Sequence, residues 1–461
     1  MENRYDVVKE YIIEQMKAFK IKPGSKLPSI RELAKQCQVC NSTVVNAYRK
    51  LEQENLIYSV PKSGYYAMKP KSIDIAPINS SVIDLSKATP SHDLLPFVRF
   101  RNCLNQAIDS YQESLFTYSN PQGFEGLRIT LAKYFRQEQI FVSEDNMVIT
   151  AGAYQALLVL AKMPFPNGNS NILVEQPTYS GMLRLMNLEN IHAIGIERNS
   201  NGIDLDQLET IFRSGNVKFF YLMPRFQNPT GLSYTKEQKR NILALAAKYN
   251  VYLVEDDYLA DLETDSKNDS LYAMSQMSNV IYIRSFSKVL LPGIRVASVS
   301  LPGLLVNDFL TYKKLCDIGN STLNQAALEL FIKSGLLDQH CKDIRTEYEN
   351  RMKEMNRLSE TAALLGLELS IPHIGFFSYL TLPKELSSNR LAELLRSNHI
   401  LVARTQDMFL PCFFKDNSLR IGLSNLPKNA VSHSLQLTFQ CIEKVMYSAK
   451  KGLPHEDIDI Q

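Results

Sequence analysis

The stretch RSFSKVLLPGIRVA, residues 284–297, sets Lys288 behind two serines on alternate positions, Ser285 and Ser287, with Arg295 seven residues further on. Two hydroxyls and a guanidinium fork bind phosphate, and a lysine amine attacks carbonyls. The arrangement suits a phosphate held beside a reactive amine. Other groups of complementary chemistry stand upstream: Gly152-Ala153-Tyr154, Tyr179 in QPTYSG, Asn228 in RFQNPTG, and Asp256 and Tyr258 in EDDY.

Such groups need a scaffold that brings them together. Short apolar runs such as NMVITAG, NILVEQPTY, VKFFYLMPR, VYLVEDDY and VIYIRSF alternate with helical patterns such as AYQALLVLAKM and TKEQKRNILALAAKYN. That alternation predicts a large α/β domain with a mostly parallel sheet, in which ligands bind beyond the C-terminal strand ends. Every residue named above except Arg295 falls where a strand-like run stops. Together they suit pyridoxal 5′-phosphate. Lys288 supplies the amine for a Schiff base. Asp256 keeps the pyridine nitrogen protonated, so that the ring draws electrons. Asn228 and Tyr258 donate to the ring 3′-oxygen, Tyr179 stacks on the ring, and Ser285, Ser287, Arg295 and the Gly152–Ala153 backbone at a helix start take the phosphate.

These residues resemble those of the fold-type I aminotransferases, the aspartate aminotransferase superfamily. YSNPQGFEGLR, NPTG, EDDY, SFSK with Arg295, and LRIGLS stand in that superfamily's order between about residues 83 and 450. The resemblance implies that Arg420, in SLRIGLS, clamps a substrate α-carboxylate bidentately. It also implies that Tyr118, in FTYSNPQG, reaches the phosphate of the partner's site, and hence a homodimer with shared sites. Ile374-Gly375 stands where the family often has two glycines.

The first seventy residues read differently. Val8, Tyr11, Ile12, Met16 and Phe19 repeat at helical spacing. Ser29 and Glu32 form a capping box ahead of an Ile30, Leu33, Ala34 stripe. STVVNAYRKLEQENL starts with a second Ser/Thr cap. It buries Val44, Ala47, Tyr48 and Leu51 and presents Ser42, Thr43, Asn46 and Arg49 on the other face. LIYSV and YYAM flank a PKSG turn as a hairpin, with Lys62 and Gly64 at its tip. Three helices and a hairpin make a winged helix-turn-helix, whose second motif helix enters a DNA major groove. The segment closely resembles the GntR family of bacterial repressors over residues 5–68. The resemblance implies that Arg31, Ser42, Thr43 and Gly64 contact operator DNA. Cys40-Asn41 departs from the family's usual Ser-Arg, so one base- or phosphate-contacting arginine is missing.

Charge agrees with that division. Of the 51 Lys/Arg and 48 Asp/Glu in this 461-residue chain, 13 and 7 lie in residues 1–71, which therefore carry +6 against −3 for the remainder. A basic head suits nucleic acid. No apolar run approaches the length of a membrane helix, and the charged start is no signal peptide. Seven scattered cysteines read as reduced thiols of a cytoplasmic protein. Cys37-x-x-Cys40 has no second pair, so no metal site is expected, and the seven histidines form no cluster.

The expected organisation is a winged helix-turn-helix over 1–68, a linker over 69–82, a cofactor-binding large domain over 83–315, and an interdomain helix with a small C-terminal α+β domain over 316–461. A GntR-type head on an aminotransferase-like body resembles the MocR subfamily. The resemblance implies a transcriptional regulator that senses pyridoxal phosphate, an amino compound, or both. The complete site leaves a second reading open, an active aminotransferase with a DNA-binding appendage.

Overall fold

The computed structural model describes residues 4–18, 20–22, 24–53, 56–60, 63–68, 82–275, 279–384 and 386–451. The chain divides into two compact units, residues 1–80 and 81–461. Lys62, Phe19 and all of the linker but residue 82 lie outside the described residues.

In the first unit, α1 (Arg4–Lys17), α2 (Ile30–Gln36) and α3 (Asn41–Gln53) precede a hairpin of β1 (Ile57–Val60) and β2 (Gly64–Ala67). The Ser29–Glu32 capping box starts α2. Val8, Ile12, Leu33, Val44, Ala47, Tyr48 and Leu51 form the core. Two expectations fail. Tyr11 is exposed, while Tyr5, Ile13 and Met16 pack partly buried beside Val8 and Ile12. The start of α3 is not a Ser/Thr cap. Ser42 and Thr43 already lie inside the helix, and Cys40 precedes it, with its Sγ 3.1 Å and 3.0 Å from their hydroxyls.

The second unit holds two sheets. Its strands are β3 (Ile83–Leu85), β4 (Met147–Thr150), β5 (Asn171–Gln176), β6 (Ala193–Asn199), β7 (Gly202–Ile203), β8 (Val217–Leu222), β9 (Tyr252–Asp256), β10 (Val280–Ser285), β11 (Ala297–Ser300), β12 (Glu368–Ser370), β13 (Phe377–Thr381), β14 (Ile400–Arg404) and β15 (Ser418–Gly422). The large sheet runs β4-β11-β10-β9-β8-β5-β6-β7. Only β11 and β7 oppose the common direction. β4, β5, β8, β9 and β10 are almost wholly buried, as helices cover both faces. The same direction in β4, β5, β8, β9 and β10 brings five strand ends to one edge.

The small sheet runs β12-β13-β15-β14-β3 and is antiparallel except at β14–β3. β3 thus departs from the expected boundary at residue 83. It leaves the large domain and adds an edge strand to the small one, a pairing between residues more than 300 positions apart. The 21-residue helix Leu336–Asn356 spans the two layers, with Ile344 and Tyr348 in the large core and Met352 and Met355 in the small one. Among the described residues, no helix is long and apolar enough to cross a membrane.

Candidate functional site

Five strand ends and one small-domain strand converge. β9 delivers Asp256. Its Oδ2 accepts a hydrogen bond from Tyr221 on β8 at 2.8 Å, while its buried Oδ1 has no partner. Burial pushes the Asp256 carboxyl up to about 6, against the pull of the Tyr221 hydroxyl. Tyr179, first residue of the turn into helix Ser180–Leu188, lies within electrostatic reach of Asp256, Tyr154 and Arg295, and burial raises its phenol.

β10 delivers Ser285, Ser287 and Lys288. Ser287 Oγ is buried without a partner. Lys288 Nζ donates to the backbone carbonyl of Ala88. Loss of hydration, then the positive charges of Arg420 and Arg295, lower the ammonium to about 8, and Asp256 opposes them. A lysine so placed releases its proton near neutrality, which a carbonyl-attacking amine requires.

β4 leads into Gly152 and helix Ala153–Lys162. Arg295 Nη2 donates to the Ala151 carbonyl at 3.0 Å and lies 2.6 Å from where a Cβ on residue 152 would stand. Gly152 also has φ +84°, so both backbone and space ask for glycine there. The guanidinium and the helix start together make an anion cradle.

β15 supplies Arg420 from the small domain. Its Nη1 donates to Asn228 Oδ1 at 2.9 Å and its Nη2 to the Ser86 carbonyl at 2.8 Å, while Nε is buried and unpartnered. Asn228 spends its oxygen on this bond and keeps its amide nitrogen as a donor. Tyr258 differs from expectation. Its hydroxyl donates to the Phe226 carbonyl at 2.6 Å, so its proton is engaged by backbone and not directed at a ring 3′-oxygen. Tyr118 is also apart: it is 88% exposed and does not join the site within one chain.

Sequence reasoning missed Tyr221, a buried aromatic on a core strand with no distinguishing pattern. It also missed the Ser86 and Ala88 carbonyls, since backbone oxygens leave no mark in a sequence. Behind Asp256, Arg225 and Tyr282 hold Asp257, which turns the second carboxylate of EDDY to a structural task.

In the first unit, Arg31, Ser42, Asn46, Arg49 and Gly64 are exposed and Thr43 is half-buried. Hydrogen bonds with Ser42 and Thr43 lower the Cys40 thiol to about 7. Lys26 also lies beside Gly64, a cation near the hairpin that sequence reasoning did not single out. Among the described residues no His/Cys/Asp/Glu cluster could hold a metal ion.

The residues fit pyridoxal phosphate on their own chemistry. Asp256 Oδ1, Ser287 Oγ and Arg420 Nε are buried polar atoms lacking partners, a costly state that a polar ligand relieves. A parallel-sheet body with a lysine, a buried carboxylate and an anion cradle at its strand ends, behind a winged helix-turn-helix, defines an aminotransferase-like regulator of the MocR type.

The chain belongs to the aminotransferase class I and II family, whose model matches residues 80–436, and residues 4–66 match the bacterial regulatory proteins of the gntR family. It is 40% identical to the HTH-type transcriptional regulator YcxD of Bacillus subtilis, over 92% of this chain and 97% of that one. It is 24% identical to the HTH-type transcriptional regulator NorG of Staphylococcus aureus, over 91% and 100%. Among solved structures, kynurenine aminotransferase from Pyrococcus horikoshii superposes with a TM-score of 0.73 at 25% identity, covering 80% of this chain and 92% of that one. The chain is therefore a transcriptional regulator whose second unit is an aminotransferase-like, pyridoxal phosphate-dependent domain.

Proposed function

We propose that the second unit senses a primary amine bearing a carboxylate, through pyridoxal phosphate held on Lys288, and that the outcome alters DNA binding by the first unit. The observation that carries this reading is the placement of Lys288, lowered to about 8, with Arg420, whose buried Nε lacks a partner. When bound, the cofactor supplies an aldehyde that takes amines covalently and a ring that draws electrons from them. Lys288 gives its amine to that aldehyde, and takes up or returns a proton when another amine replaces it. Asp256 holds a proton at the ring nitrogen through its free Oδ1. Gly152–Ala153, Ser285, Ser287 and Arg295 bind the phosphate. Tyr179, with Tyr154 near it, would orient the ring, and Asn228 would donate from its amide nitrogen. Arg420 binds the carboxylate. Tyr258 fixes the loop at Phe226 and acts through it.

Exposed Phe116, Tyr118, Leu315 and Ile318 support a homodimer, since loop 116–119 lies against residues 319–320. Tyr118 then serves the partner's site. The exposed row of Ser42, Asn46 and Arg49 supports operator recognition by α3 in the major groove, with Arg31 and the hairpin on the backbone. Such a regulator works in the cytoplasm, where its DNA is. A ligand changes DNA affinity only through unequal affinity for two arrangements of the protein.

The complete lysine, aspartate and arginine set favours one second reading, an active aminotransferase. Visible spectra of the cofactor-loaded protein, followed as amino acids and amines are added, separate the two. A lasting spectral shift without keto acid release marks a sensor, and repeated keto acid release marks an enzyme. Absence of any spectral response across the panel refutes both.

A further inference from the structure

The second unit holds another cavity, of about 750 Å³, where the ends of β5 and β6 face β12, β13 and the loop between β14 and β15. Lys288, Asp256, Asn228 and Arg420 are not among its lining residues. It shares a wall with their site all the same. Pro177 and Thr230 line it, and each stands two residues from Tyr179 or Asn228. Gln227 ties that wall together. Its Nε2 donates to the Pro177 carbonyl at 2.6 Å, and its Oε1 accepts from the Thr230 hydroxyl at 2.6 Å. From β12, the Ser370 hydroxyl donates to the Thr230 carbonyl at 3.0 Å. The apolar lining is largely aromatic. Phe413 packs directly on β6 because residue 195 is glycine, whose Cβ would stand 2.5 Å from the ring. Phe409 is braced by Phe414, with ring centroids 6.0 Å apart. Tyr379 stays an uncharged phenol, since burial pushes it up to about 12. Two of the four charged residues in the lining are cations, and both are already spent. Arg198 donates to Glu175 at 2.5 Å and to the Met223 and Leu232 carbonyls at 2.9 Å, and Lys415 pairs with Glu197 at 3.2 Å. Glu368 is exposed at the cavity and has no ion-pair partner among the described residues. The charge left unmatched is therefore negative.

We propose that this cavity is a second ligand site, for an aromatic amine or ammonium compound that carries no acidic group. Its volume suits a small organic molecule, and such sites gather where two layers of a protein meet. A ring between Phe409, Phe413 and Leu232 removes apolar surface from water on both sides. A cation on that ring faces Glu368, and the faces of Phe and Tyr rings attract it further. A carboxylate or phosphate finds no free cation here. Binding one to Arg198 would strip Glu175 of its buried partner, a large cost. The two sites thus select opposite chemistry, since the first offers Arg420 and Arg295 to anions. The proposal does not depend on the role given to Lys288.

Benzyltrimethylammonium is the probe, because a quaternary ammonium cannot condense with an aldehyde and so leaves Lys288 and any cofactor on it untouched. Cys412 lines the cavity and is exposed. Iodoacetamide labelling of the full chain is read peptide by peptide by mass spectrometry as the probe is added. Labelling should slow several-fold at Cys412, at roughly millimolar probe for so small a ligand, and stay unchanged at the exposed Cys40 and Cys316. Phenylacetate, of similar size and opposite charge, should give no protection. Glu368→Gln should weaken the response to the probe about threefold, as an exposed charge partner is lost. Leu369→Trp, which fills the cavity, should abolish it. Slow labelling of the buried Cys103 and Cys341 shows that both variants fold, and the comparison of the two probes needs no variant. Absence of protection at roughly ten millimolar probe overturns the proposal. Protection that survives Leu369→Trp places the probe outside the cavity and overturns it too. Equal protection by phenylacetate, or an unaltered response in Glu368→Gln, overturns the cationic class of ligand.

Discussion

Replacing Asp256 by asparagine should stabilise the cofactor-free protein at alkaline pH while weakening its hold on the cofactor. The carboxyl is buried and its folded value of about 6 lies above the ordinary 3.8. A raised acid is favoured by folding only while protonated. Its contribution is full below about pH 4 and is lost as pH rises through about 6. The shift of about two units amounts to about 3 kcal/mol against the folded state at pH 8. Asparagine keeps an oxygen for the Tyr221 hydroxyl and carries no charge, so the penalty disappears. Thermal unfolding of the cofactor-free second unit, followed at pH 5 and pH 8 in both proteins, isolates the effect from other titrating groups. The wild type should lose more stability between those pH values than the variant, by roughly 1.4 kcal/mol, since about half of the penalty is already present at pH 5. Cofactor titration should move the other way. Removing one partner of a buried charged pair costs about 2 kcal/mol or more, about a 30-fold rise in Kd. Equal pH dependence in the two proteins, or an unaltered Kd, would refute the placement of a free carboxylate in the cofactor's path.

Three further outcomes are expected. Gly152→Ala puts a Cβ 2.6 Å from Arg295 Nη2 at a φ of +84°, and should weaken cofactor binding at least about tenfold, measured by absorbance titration. Arg420→Ala should cut the spectral response to amines bearing a carboxylate about tenfold or more and leave that to simple alkylamines little changed; an equal loss for both would remove Arg420 from carboxylate binding. Arg31→Ala should lower affinity for DNA and reduce its salt dependence by about one counterion, without changing cofactor affinity, as gel-shift titrations at several salt concentrations would show.

What could be read from the residues alone depended on where the information is stored. Asp256, Asn228, Tyr179 and Lys288 were visible because each ends an apolar run, and a parallel sheet sends such ends to one edge. The head was visible for a similar reason, as the Ser29–Glu32 box and the Val44–Leu51 stripe are local patterns. Tyr221 was hidden because its neighbours on β8 are equally buried, and only tertiary contact makes its hydroxyl a partner of Asp256. The Tyr258 hydroxyl was misdirected because its acceptor is a main-chain oxygen at Phe226.

β3 was assigned to the wrong domain because its pairing is legible only in three dimensions. Three residues carry too little periodicity to announce a strand, and a parallel edge pairing with residues 400–402 has no local signature. Yet this inconspicuous strand is the shortest covalent path from the site to the chain that precedes it. Ser86 and Ala88 lie one and three residues beyond β3, and they engage the two cations that a carboxylated amine and its cofactor would need. In this fold the element bonded to Lys288 is also the one through which the second unit begins.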